Sequence, residues 1–283
     1  MRVASFLMAV LLALISGPSM AKWDQEARAS DLLARIQLRV DHLALIANAA
    51  ADGNVDAFNS LKATRADIDG MLQRLLHGDP RSGMRGYADQ DSFQHGLTDL
   101  LASWNRLDTD VTALLKAQSQ VLDAKSAADE LAAKLAVLNS RMDEAVKVLV
   151  EKDGSKAQVM IATREMVLAD RMLRRAQSTV RGGEEAQAAA AGLQRDAQFY
   201  GAVLAGLIDG NADLNIKAVA NVSAREILRN INKQWTADTA ALASKLVDAV
   251  PQMEDARHAA DEIQIESQTF VLKVEPLSRH LRD

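Results

Sequence analysis

Four arginines are the side chains best suited to hold a ligand: Arg39, and Arg171, Arg174 and Arg175, the last three within one helical turn. A guanidinium on a helix wall grips a carboxylate or phosphate with two parallel hydrogen bonds. Two acids close by, Asp170 and Glu165, could instead occupy these cations as ion pairs. The remaining chemistry is thin. No two of His42, His77, His95, His258 and His280 stand four residues apart, and His-Glu-x-x-His is missing, so no metal site is expected. The pairs Asp67/Asp69, Asp108/Asp110 and Glu184/Glu185 read as solvated charges or as acids near helix starts. Paired acid–base catalysis needs a pocket that separates two pKa values, and nothing in the pattern builds one. Gly182-Gly183 is followed by neither Lys-Ser nor Lys-Thr, and no serine sits on a glycine-framed turn. The chain has no cysteine, which excludes disulfides and thiolate chemistry. No catalytic residue and no cofactor are expected.

These side chains have to be positioned by helices. Gly (14) and Pro (4) are scarce, and Ala and Leu supply most of the 48% hydrophobic content. Alternating Val-, Ile- and Thr-rich runs, the mark of strands, are missing. The net charge of −5 is well mixed and offers no basic face to nucleic acid.

Apolar residues at spacings of three and four predict helices over 24–51 and 55–77, each stopped by glycine-containing punctuation, with 78–92 as a loop. From Leu97 to Asp153 no Gly or Pro intervenes. Leu97, Leu100, Trp104, Leu107, Val111, Leu114, Val121, Leu131, Leu135, Leu138, Met142 and Leu149 form a heptad-like stripe. An unbroken helix of that length reaches on the order of 80 Å. Further helices are expected over 156–181, 184–209, 215–250 and 252–282, with Pro251 as a start or kink and Trp104 and Trp235 as core residues. The fold class expected is all-α: an elongated helical bundle of two stacked modules sharing long helices, over 22–150 and 151–283.

The N-terminus has its own logic. Arg2 precedes an apolar run from Phe6 to Ile15, then Gly17-Pro18 and the small residues Ser19 and Ala21. That layout predicts a Sec signal peptide over 1–21 and export to the periplasm. The run is shorter than the ~20 residues that span a bilayer. The competing reading is an uncleaved inner-membrane anchor over the same residues, the chain's one expected route to a membrane.

A weak internal repeat is visible. Arg39, Gly53, Arg65, Leu72, Leu75-Leu76 and Gly78-Asp79 recur as Arg171, Gly183, Arg195, Leu204, Leu207-Ile208 and Gly210-Asn211, at offsets of 130 to 132.

The second copy carries a family resemblance. Leu193-Gln194-Arg195-Asp196-Ala197-Gln198-Phe199-Tyr200-Gly201, then Val203-Leu204-Ala205-Gly206-Leu207-Ile208 and Gly210-Asn211, resemble the periplasmic region of the PilJ family of type IV pilus chemotaxis transducers. Leu168-Ala169-Asp170-Arg171-Met172-Leu173 upstream, and Ala259-Ala260-Asp261-Glu262-Ile263 with Glu266-Ser267-Gln268-Thr269 downstream, fit the same pattern. The family's early Ser-Gln-Arg triplet is not clean here; Gln37-Leu38-Arg39 or Val40-Asp41-His42 stands near it. The resemblance implies a periplasmic sensory domain in twitching chemotaxis, a homodimer, that binds a pilin or a small ligand. The second membrane span, HAMP relay and signalling hairpin of a transducer are not found before Asp283. The expectation is the sensory part alone or a free-standing relative, with a ligand-free periplasmic adaptor or scaffold as the alternative.

Overall fold

The computed structural model describes residues 18–152 and 154–281. The expected signal peptide or anchor lies, up to Gly17, outside the described residues. No helix among the described residues is long and apolar enough to cross a membrane.

The chain is all-α. Its helices are α1 (Pro18–Ala51), α2 (Val55–His77), α3 (Asp91–Lys116), α4 (Gln118–Glu151), α5 (Lys156–Arg181), α6 (Ala186–Asp209), α7 (Val222–Gln234), a π-helical turn (Trp235–Thr239), α8 (Ala240–Asp248) and α9 (Val250–His280). The breaks follow local chemistry. Gly53, Gly182 and Gly210 take φ of +86°, +69° and +90°, a region that side chains with a Cβ avoid. Ser155 caps α5 reciprocally: its hydroxyl accepts from the Gln158 N–H while the Gln158 amide oxygen accepts from the Ser155 N–H.

Among the described residues, the first compact unit comprises 18–49, Asp56–Leu115, and the part of α9 from Ala259 onward. Leu33, Ile36, Val40 and Leu43 of α1 are buried in it, with Phe58, Leu61 and Ile68 of α2, Leu100 and Leu107 of α3, and Ile263 and Phe270 of α9. Arg65 of α2 reaches Asp108 of α3, and Lys273 of α9 reaches Asp99 of α3. In the expected loop after α2, Gly78–Asp79 (β1) pairs antiparallel with Met84–Arg85 (β2). Gln25 ties this hairpin to α1, donating to the Gly83 carbonyl at 2.8 Å and accepting from the Arg85 N–H at 2.9 Å.

The second unit comprises Ala50–Val55 and Lys116–His258. Here α4 packs on α5 and on α7–α8, and α6 packs on α5 and α7–α8, closing a four-helix bundle. Its buried residues include Leu131, Leu135, Leu138 and Met142 of α4, Ala162, Ala169 and Met172 of α5, Leu193 and Leu204 of α6, and Leu228 and Ile231 of α7.

Two expectations need correction. The stripe from 97 to 153 is not one unbroken helix: Ala117, at φ −77° and ψ −5°, separates α3 from α4. The break falls where the chain passes from the first unit to the second, with no glycine or proline to mark it. The helix expected from Asn215 begins only at Val222. Asn211 and Ile216 bond each other's backbone at 2.8 Å, the Asn211 side chain accepts from the Leu214 N–H, and Ile216 and Val219 plug the core from a loop.

The compact units cut across the sequence repeat. Trp104 and Trp235, 131 residues apart, face positions 69 and 200, also 131 apart: Trp104 donates to Asp69, and Trp235 packs on Tyr200. At this offset the start of α2 falls on that of α6 and the start of α3 on that of α7, which aligns α1–α4 with α5–α9. The first unit takes its fourth helix from the second copy, and the second unit takes its fourth helix from the first copy.

Candidate functional site

Arg171 and Arg175 stand one turn apart on α5, on the face turned toward α6. Both reach one carboxylate there, Asp196, which is only 4% exposed. Arg171 donates through Nε at 2.8 Å and through Nη2 at 2.7 Å, one bond to each carboxylate oxygen. Arg175 donates through Nη1 to Asp196 Oδ2 and to the Gly192 carbonyl oxygen. Gly192 makes room for this: a Cβ there would stand 2.6 Å from the Arg175 Cζ. The bond to Asp196 raises the Arg171 pKa above its ordinary value. The ion pairs to Asp170 and Glu165 that the sequence left open as an alternative are not the ones formed. Asp170 accepts instead from the Asn139 side chain, and Glu165 turns inward.

Of the four arginines, the structure brings only Arg171 and Arg175 together. Arg174 projects outward and is exposed. Arg39 belongs to the first unit, where it pairs with Asp67 at 3.2 Å, both half exposed. The first unit has its own fork, Arg65 on Asp108, at 2.5 and 2.7 Å.

Behind the Asp196 clamp lies a polar patch in the core that the arginine reading overlooked. Glu165 is 2% exposed, and its Oε2 has no hydrogen-bond partner among the described residues. Burial pushes its carboxyl up to about 8. The Tyr200 hydroxyl is buried without a partner among the described residues, and burial together with the Glu165 charge raises its pKa. The Tyr200 ring meets Trp235 with centroids 4.6 Å apart. A signal for Glu165 existed in the sequence. It falls on the apolar stripe Ala162, Leu168, Ala169, Met172, where a surface acid has no place.

No group of three or more His, Asp or Glu among the described residues could hold a metal ion. No family model matches the chain. It is 27% identical over 222 residues, 78% of its length, to the putative methyl-accepting chemotaxis protein AlkN of Alcanivorax borkumensis. It is 28% identical over 244 residues, 86% of its length, to protein PilJ of Pseudomonas aeruginosa. The chain spans about a third of the length of these curated relatives, 31% and 35% respectively. It is thus a distant homologue of part of each of these two proteins.

Proposed function

We propose that this chain is a periplasmic sensory domain of type IV pilus chemotaxis, binding a pilin or a small ligand and acting as a homodimer. The observation that supports this most is the similarity to two chemotaxis-type proteins along 78% and 86% of the chain, through both copies of the repeat. Packed helices carry a signal by switching between discrete arrangements, and a ligand biases that equilibrium only by binding one arrangement better. Arg174, exposed, and Arg39, half exposed beside Asp67, are the contacts a pilin or anionic ligand would meet first. Arg171 and Arg175 take part through the wall they build on Asp196.

A chimera tests the reading. Residues 22–283 replace the matched region of the Pseudomonas aeruginosa PilJ, and twitching is scored on agar. Restored twitching that Arg174→Glu or Arg39→Glu reduces supports the sensor with arginine contacts. A stable chimera that never restores twitching overturns it in favour of an adaptor.

A further inference from the structure

The second unit carries an open cleft of about 790 Å³ between α4 and the stretch formed by α7 and its π-helical turn. None of the four arginines above lines it, nor does Asp196. Its size falls in the range of small-molecule sites, roughly 300–1,000 Å³. Val137, 49% exposed, and Ala237 give it apolar surface.

The charges on its walls sort into two sets. Lys134 of α4 stands 2.7 Å from Asp238 and 3.5 Å from Glu130, so the two acids of the cleft are both spent on one cation. Arg141 on α4 and Lys233 on α7 line the cleft from opposing helices, and neither makes an ion pair among the described residues. The cleft therefore keeps two uncompensated cations, one on each wall.

The π-helical turn shapes this side of the cleft. The Ala240 N–H bonds the Trp235 carbonyl and the Thr239 hydroxyl donates to the Gln234 carbonyl at 3.1 Å, each reaching five residues back. The turn carries Ala237 and Asp238 into the lining. No glycine or proline lies in Trp235–Thr239 to force the irregularity. Such insertions concentrate at functional sites.

The geometry points to this cleft as a binding site for a small aliphatic dicarboxylate. Arg141 takes one carboxylate by its fork, Lys233 takes the other, and the carbon chain rests on Val137 and Ala237.

Titration calorimetry of the purified chain with succinate and glutarate tests this, with succinamide as neutral isostere and sulfate as compact dianion. Saturable binding of at least one dicarboxylate is expected, at least about tenfold weaker for succinamide and for each of Arg141→Gln and Lys233→Gln, the size of one lost charge-assisted contact. No binding of either dicarboxylate at millimolar concentration overturns the site, as do variants that bind like the parent. Sulfate binding as tightly as the dicarboxylates overturns the ligand class. Should a variant lose its helical circular-dichroism signal, protection of Lys233 against acetylation in the parent chain decides instead. Protection by the bound dicarboxylate supports the site, and unchanged modification overturns it. Failure here leaves the chimera result untouched, so the two readings are separable.

Discussion

The indole nitrogen of Trp104 donates to a carboxylate oxygen of Asp69 at 2.7 Å. The bond joins α3 to α2 and satisfies the one polar atom of an indole that is 4% exposed. Removing the acceptor strands that N–H. Asp69→Ala is expected to lower stability by about 1–2 kcal/mol, and Asp69→Asn, whose amide oxygen still accepts, by less. Urea unfolding followed by tryptophan fluorescence measures both.

Asp196 is the anion on which two guanidinium groups converge. Arg171 and Arg175 keep 50% and 30% of their side-chain surface in water, so solvent softens the loss when the carboxylate is removed. Asp196→Ala should cost about 2–3 kcal/mol, below the ~3–5 expected of a fully buried pair. A double-mutant cycle with Arg171→Gln should show coupling above about 0.5 kcal/mol. Additive effects would mean the fork contributes nothing beyond its separate parts.

Glu165 makes stability depend on pH in an unusual direction. Its carboxyl titrates near 8 in the folded chain, against a reference value of 4.5. Below about 4.5 both folded and unfolded chains are protonated at this position, and its contribution is fully present. As pH rises from about 4.5 to about 8 the unfolded chain gives up the proton first, so stability falls. The slope approaches about 1.4 kcal/mol per pH unit at most. Glu165→Gln should flatten this slope and leave the variant more stable than the parent at pH 8. Unfolding midpoints from pH 4 to pH 9 give the answer, and a parallel profile for the two proteins would refute it.

Two glycines one repeat apart should respond in opposite senses. At Gly70 of α2 a Cβ would meet nothing within 4 Å. Gly70→Ala should therefore stabilise by about 0.5–1 kcal/mol through helix propensity alone. At Gly201 of α6 a Cβ would lie 2.9 Å from the Trp235 Nε1. Gly201→Ala must push that indole away and should destabilise by about 1–3 kcal/mol, with a shift in tryptophan emission that Gly70→Ala does not produce.

Much of the helical layout was legible because its punctuation is chemical. Val55–His77 and Lys156–Arg181 end where the sequence places Gly78 and Gly182, and Ser155 with Gln158 announces the start of α5. The rest was hidden for definite reasons. Ile216 and Val219 are spaced like a helix face yet are buried from a loop, because the Asn211 side chain offers the backbone a turn instead. The break at Ala117 and the π-helical turn contain neither glycine nor proline, so no residue type announces them. Of the candidate site, Arg171 and Arg175 were found, but their partner was not. Asp196 lies 25 residues from Arg171 on another helix, and proximity in sequence favoured Asp170 and Glu165. Glu165 was visible only as an acid where the apolar stripe called for an aliphatic side chain.

The crossed provenance of the fourth helices means that the two copies cannot be separated without loss. A chain severed at Gly154 leaves each half holding a helix that belongs in the other's core and missing the one that seals its own. The halves can rebuild both cores only by trading their last helices. Deleting either half thus takes a helix from both bundles at once.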